Sequence, residues 1–271
     1  MKNNFKQFLE ENRWLKGVPN TLTVGNSLCG FAAILNALQV YRVPSEEGGK
    51  ILAVSALLIL GAMVFDALDG FTARIFNAAS MKGLQMDSLS DMVTFGVAPA
   101  VLVAVMAHIN KDINHTRYGY HLAWIFCAIY LAAAAHRLAR YNVHAMLNKK
   151  SGDKFTGLPS PGAAAAVCSV ILLFAHCESI RDKIRYIPLY TGVLGLLMVS
   201  NVHYQHMGKW LESVRRNRVR LAISLGVLVY FVCEPYIAML VVINFYVLYG
   251  VAKEFFVRYR GSVSKLSSQK A

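Results

Sequence analysis

The sequence predicts an all-α protein, a polytopic bundle of about eight transmembrane helices with both termini on the cytoplasmic side. Three observations predict it. Of the 271 residues 56% are apolar and only 16% charged, and the mean hydropathy is +0.42, outside the range of ordinary soluble domains. Apolar stretches of near bilayer length recur along the whole chain, and lipid offers no water to satisfy backbone groups, so these stretches are expected as helices. Lys and Arg are distributed unevenly between alternate connections, which orients the bundle.

Residues 1–17 are polar and aromatic and carry Lys2, Lys6, Arg13 and Lys16. With Phe5, Phe8 and Trp14 as anchors, this segment is expected to lie on the membrane surface. No small-residue cleavage pattern follows it. Apolar stretches then run at about 21–41, 50–68, 90–109, 120–138, 161–176, 186–202, 219–233 and 236–252. The fifth and seventh are short and begin or end near Pro161 and Pro235. Pro99 predicts a kink in the third. Residues 18–252 are read as one membrane domain and 253–271 as a basic cytoplasmic tail.

With the N-terminus inside, the connections on that side carry 21 of the 28 Lys and Arg and the opposite set carries 7. This bias accounts for the formal net charge of +13 as attraction to anionic lipid, and no nucleic-acid partner is expected. Arg215, Arg216, Arg218 and Arg220 fit the same role. The five cysteines are scattered and read as small apolar fillers. His203 and His206 have no acid beside them in the sequence and are expected to pack at the interface. Asn26 and Asn244, inside spans, are expected to hydrogen-bond between helices.

Charges at membrane depth are costly, so the acids single themselves out. Only 15 exist, and Asp66, Asp69, Asp87 and Asp91 fall within 26 residues at one membrane face. Asp66 and Asp69 are spaced i, i+3 at the end of the second stretch, and Asp87 and Asp91 i, i+4 at the start of the third. Each pair therefore shares one helix face. If the two helices are neighbours, four carboxylates converge and cannot all stay ionised without a neutralising cation. Hard oxygen ligands favour Mg²⁺, Mn²⁺ or Ca²⁺ over zinc. Two such cations could share the four ligands, an arrangement suited to phosphoryl chemistry. Gly70, Ala73 and Gly83 leave room for a nucleotide or diphosphate to approach, and Arg74 supplies a cationic fork for phosphate.

The full run is Asp66-x2-Asp69-Gly70-x2-Ala73-Arg74-x8-Gly83-x3-Asp87-x3-Asp91. Its eight specified positions resemble the signature of the CDP-alcohol phosphatidyltransferases without a departure. The resemblance implies a membrane enzyme that moves a phosphatidyl group from CDP-diacylglycerol to an alcohol and releases CMP. It implies two divalent cations, Mg²⁺ or Mn²⁺, held by Asp66, Asp69, Asp87 and Asp91, with Asp91 doubling as general base. It places Gly70, Ala73, Arg74 and Gly83, with Asn20 and Thr23, around the nucleotide diphosphate. It further implies a homodimer in the cytoplasmic membrane with its active site on the cytoplasmic face.

The flanks narrow the acceptor. Asp87 to Ala100, Pro19 to Asn26, Arg137-Leu138-Ala139-Arg140-Tyr141-Asn142 and Phe155 to Gly162 look like the corresponding segments of the serine-accepting branch of that family, the phosphatidylserine synthases. L-Serine is a zwitterion whose carboxylate needs a cation near the metal site. Arg137 and Arg140, with Asn142, are the candidates for it, although basic residues at a helix end also serve lipid phosphates. The expected reaction is direct displacement, with Ser88 and Ser90 the only local candidates for a covalent route. Acceptors such as glycerol 3-phosphate, inositol phosphate or choline would keep the acids and change the acceptor pocket. A cation-coupled transporter is the competing class, but its site would be expected near the bilayer midplane.

Overall fold

The computed structural model describes residues 17–76, 80–109, 119–147, 156–177, 185–204 and 234–268. All but the last residue of the surface segment expected at 1–17, the seventh apolar stretch at 219–233, His206 and the arginines at 215–220 lie outside them.

Seven helices carry the described chain. Helix α1 spans Val18–Leu38 and tightens into a 3-10 turn at Gln39–Arg42. Pro19 stands at its first turn, where a missing N–H costs nothing. Helix α2 spans Ser45–Ile75, and α3 runs from Met81 to Ile109. The Ser80 hydroxyl caps α3 by accepting from Gly83 N at 3.0 Å. Helices α4 (Gly119–Leu147), α5 (Ser160–His176), α6 (Ile187–Val199) and α7 (Pro235–Ser268) follow. Apart from a bridge between Thr156 and His203, the regular structure of the described residues is helical.

Five of these helices are long and apolar enough to cross a membrane: Val18–Arg42, Glu47–Ile75, Met81–Ile109, Gly119–Met146 and Pro235–Val257. Their surfaces are those of a membrane helical bundle. Leu28, Phe31, Leu57, Val64, Phe245 and Leu248 are exposed, a belt that in water would promote aggregation and in a bilayer meets lipid tails. Helices α5 and α6 are shorter, at 17 and 13 residues. Helix α5 is enclosed by protein, with Ala163, Ala164, Ala166, Val167, Cys168 and Ile171 fully buried. Its alanines admit α2 and α7 closely. An enclosed helix of this kind need not match the width of the lipid.

The irregularity expected from Pro99 takes the form of a π-helical turn at Met92–Val97. Pro99 has no N–H to give to the Phe95 carbonyl. The Tyr130 hydroxyl of α4 donates there instead, at 2.8 Å and fully buried. Tyr130→Phe is expected to lower stability by about 1–3 kcal/mol, because it strands a buried carbonyl. A thermal melt of the purified variant checks this, and an unchanged midpoint would contradict it. Elsewhere, Asn244 joins α7 to α6 by accepting from the Tyr190 hydroxyl at 2.7 Å, as its place in a span led us to expect. Cys127 and Cys168 are buried, Cys29 and Cys177 partly so, and all four are free thiols.

Candidate active site

Asp66 and Asp69 lie in the last three turns of α2, and Asp87 and Asp91 in about the first three turns of α3. Carboxylate oxygens of Asp66, Asp69 and Asp87 all lie within 4.8 Å of one another. Asp91 lies one turn beyond Asp87 and against Asp66. Asp69 and Asp91 are only 5% and 9% exposed, so these are not solvated helix-end acids.

A third helix brings the two pairs together. Helix α1 packs along α2 and against the first turns of α3, and its polar side chains reach both. The Thr23 hydroxyl donates to Asp69 Oδ2 at 2.7 Å. Asn26 Nδ2 donates to Asp91 Oδ1 at 3.3 Å. The register of α1 on α3 is fixed by two further bonds, from Ser90 Oγ to Thr23 O at 2.8 Å and from Thr94 Oγ1 to Asn26 O at 3.0 Å. Gly30 permits this approach, since a Cβ there would stand 2.5 Å from Thr94 Oγ1 and 2.8 Å from Thr94 Cα.

This use of α1 had a readable signal. Its buried residues are Pro19, Thr23, Asn26, Gly30, Ala33 and Ala37, small or polar groups spaced alternately four and three apart. That stripe is the protein-facing side of a helix whose large apolar residues face outward. The sequence singled out Asn20 and Thr23 for a nucleotide and Asn26 for an interhelical bond, without naming their aspartate partners.

The edge of the cluster is open. Gly70 is exposed, and a Cβ there would meet nothing within 4 Å. Ala73 is half-buried on the next turn, and Arg74 is exposed with its Nε donating to Gly70 O at 2.9 Å. Asn20 faces the start of α3, its Oδ1 3.6 Å from where a Gly83 Cβ would lie. These residues line one end of the bundle together with the acids.

The candidate acceptor residues come from α4. Arg137 Nη1 donates to Ser160 Oγ at 2.7 Å, and Arg137 lies within electrostatic reach of Asp91. Arg140 Nη2 donates to the Thr156 carbonyl at 3.2 Å and also to its hydroxyl. Asn142 Oδ1 accepts from Ser88 Oγ at 2.8 Å, between Asp87 and Asp91 in the sequence. The segment that both arginines grip is pinned from behind, by Gly157 N to Val202 O at 2.8 Å and Leu158 N to Leu197 O at 3.0 Å. Thr156 and Ser160 were not singled out individually, because nothing in the sequence relates them to arginines some 16 to 23 positions away.

Both serines between the acids are occupied. Ser88 and Ser90 are 7% and 1% exposed, and their hydroxyls donate to Asn142 and to Thr23 O. One expectation is corrected. His203 does have an acid beside it, with Nδ1 3.1 Å from Glu254 Oε2. That acid comes from α7, 51 positions away, beyond what local sequence shows.

Comparisons with known proteins give the chain its relatives. Residues 16–201 match the model of the CDP-alcohol phosphatidyltransferase family. A Helicobacter pylori protein named CDP-diacylglycerol–serine O-phosphatidyltransferase is 28% identical over 240 residues, 88% of this chain and 91% of that protein. A Bacillus subtilis protein of the same name is 33% identical over 207 residues, 74% of this chain and 98% of that one. An archaetidylserine synthase of Methanothermobacter thermautotrophicus is 31% identical, covering 69% of each chain. With a family match over more than half its length and the signature aspartates gathered at one end of a helical membrane bundle, this chain belongs to the CDP-alcohol phosphatidyltransferases.

Proposed function

We propose that this protein transfers the phosphatidyl group of CDP-diacylglycerol to the hydroxyl of L-serine, giving phosphatidylserine and CMP. The observation that carries the reading is the convergence of Asp66, Asp69 and Asp87 within 4.8 Å, beside Asp91, in a chain similar over most of its length to proteins named for this activity.

The donor set fits divalent cations. It consists of carboxylate oxygens at one end of an apolar bundle, with neither thiolate nor imidazole in the cluster, which suits Mg²⁺ or Mn²⁺. Asp66, Asp69 and Asp87 would hold one ion, and Asp91 with its neighbours would help hold a second. When bound, these ions neutralise the diphosphate and polarise the oxygens of an in-line displacement.

The chain's own residues divide the remaining work. Asp91 takes the proton from the serine hydroxyl. The freed oxygen attacks the phosphorus that carries diacylglycerol, a new P–O bond forms, and the P–O bond to CMP breaks. Arg74, exposed at the open edge, receives the charge of the departing phosphate. Gly70, Ala73 and Gly83 leave space for the nucleotide, and Asn20 borders the same space. Thr23 holds Asp69 by its hydroxyl. Both serines within the motif are tied to neighbours, which favours direct displacement over a phosphatidyl-enzyme. The acyl chains stay in the bilayer beside the helices throughout.

On this reading Arg137 is the receptor for the serine carboxylate and Arg140 is an anchor. Arg140 is committed to both the carbonyl and the hydroxyl of Thr156, whereas Arg137 meets one hydroxyl and lies near Asp91. Asn142 holds Ser88 and so fixes α4 against the acid-bearing turns. The eight-span topology with both termini cytoplasmic, the cytoplasmic site and the homodimer belong to this proposal, supported by the Lys and Arg bias and the family resemblance. A transport role finds less support, because the acids lie in the last three turns of α2 and about the first three of α3, toward one end of the bundle.

The test is a panel. Purified protein with CDP-diacylglycerol and Mn²⁺ is given serine, glycerol 3-phosphate, inositol phosphate or choline, and CMP is measured. Serine alone is expected to accelerate CMP formation, and EDTA to stop it. Acceleration by another acceptor and not by serine overturns the acceptor assignment. Cation flux without CMP release overturns the enzyme.

A further inference from the structure

Within the buried stripe of α1 one polar group lacks a packing explanation. Asn26 is fully buried, and its Oδ1 has no hydrogen-bond partner among the described residues. An orphaned amide oxygen inside a membrane helix is destabilising, and a leucine of similar size would carry no such burden. Reversing the amide does not relieve it. Oδ1 would then face Asp91 Oδ1, acceptor against acceptor, and Nδ2 would be stranded in its place. The orientation with Nδ2 on the carboxylate, 3.3 Å away, is the one that chemistry selects.

The backbone frame around this contact does not depend on the side chain. Thr94 Oγ1 bonds the Asn26 carbonyl, Ser90 Oγ bonds the Thr23 carbonyl, and Gly30 seats Thr94 against α1. Helix α1 is therefore docked on α3 by groups other than the amide. What the amide adds is a hold on one oxygen of the Asp91 carboxyl group, which otherwise meets only Asp66 among the neighbouring acids' side-chain hydrogen bonds. Thr23 plays the matching part for Asp69, three residues earlier on the same face.

We propose that Asn26 is a positioning residue for Asp91: its amide N–H holds one carboxylate oxygen against α1, so that the other is presented to the Asp66, Asp69 and Asp87 cluster and to the acceptor hydroxyl. This rests on the reading that Asp91 both serves the divalent ions and takes the acceptor proton. The carboxylate, left to rotate, would spend much of its time with neither oxygen aligned, and alignment of this kind is where positioning contributes to rate.

Asn26→Leu removes the amide while keeping the branching of its heavy atoms, and Asn26→Ala removes it without adding a charge or a donor. Two readouts are taken on monodisperse protein. Turnover with CDP-diacylglycerol and serine is expected to fall at least tenfold in both variants, with KM for CDP-diacylglycerol within twofold of the parent. Mn²⁺ alone, titrated into substrate-free protein, is expected to raise the melting midpoint only at about tenfold higher concentration than for the parent. A purely structural asparagine predicts a lower melting midpoint with turnover per folded molecule and Mn²⁺ response unchanged. Parental turnover or a parental Mn²⁺ titration in either folded variant overturns the proposal. Failure of the underlying reading looks different, since the parent protein itself would then show no serine-dependent CMP or no response to Mn²⁺.

Discussion

Asp91→Asn is expected to reduce serine-dependent CMP release by about 10²–10⁴-fold, the usual contribution of a positioned general base. The substitution keeps the shape of the side chain and leaves an oxygen for the Asn26 amide, which now donates to Asp91 at 3.3 Å. It also takes one negative charge out of a cluster of four, so the fold has no cause to weaken. The loss should therefore appear in turnover, with the melting midpoint of the detergent-solubilised protein equal to or above that of the parent. Asp66, Asp69 and Asp87, whose oxygens lie within 4.8 Å of one another, stay as they are. CMP release that persists at the parental rate in a folded Asp91→Asn protein would remove Asp91 from the chemistry. It would leave the rest of the cluster in place as a binding site.

Gly157→Ala carries the second large expected effect, and it acts through the backbone. Gly157 has φ +91°, a conformation that L side chains rarely adopt, and a Cβ there would stand 2.1 Å from the Met198 carbonyl oxygen. That contact is with backbone, so no side-chain rotation relieves it. The segment must move, breaking the bonds of Gly157 N to Val202 O and Leu158 N to Leu197 O. Thr156 and Ser160 flank this point, and they are what Arg140 and Arg137 grip. Strain and displaced packing together cost about 2–5 kcal/mol. The expected outcome is a lower melting midpoint and, in protein still folded at low temperature, a serine KM raised at least tenfold while KM for CDP-diacylglycerol holds. A variant with parental midpoint and parental serine KM would show that this loop does not shape the acceptor site.

The distance along the chain over which each feature is determined explains what could be read in advance. An apolar run long enough for a bilayer is a local property, and the positions of α1 to α4 and of α7 follow from it. The pairing of Asp66 with Asp69 and of Asp87 with Asp91 is local too, because three or four positions on a helix return to the same face. Pro99 announced a break in helical regularity, although its form as a π turn depends on Tyr130, 35 positions away, to satisfy the Phe95 carbonyl.

Interactions across many residues left no trace of which partner each residue would meet. Thr23 meets Asp69 over 46 positions, Asn26 meets Asp91 over 65, and His203 meets Glu254 over 51. Each partner alone is an ordinary polar residue, and its meaning lies in which helix packs beside it. The same holds for the two arginines of α4, alike in sequence but distinguished by what Thr156 and Ser160 offer them.

The one-dimensional order of residues was thus enough to establish the helical membrane class, the eight-position signature and the family it resembles, because these rest on composition and on residue identities at fixed, short separations along the chain. Packing alone determined that α1 stands between the two acid-bearing helix ends and holds an aspartate from each. The reason is physical: in an apolar bundle a polar side chain takes its partner from whichever helix lies against it, and that neighbour is set by how the whole set of helices fills space.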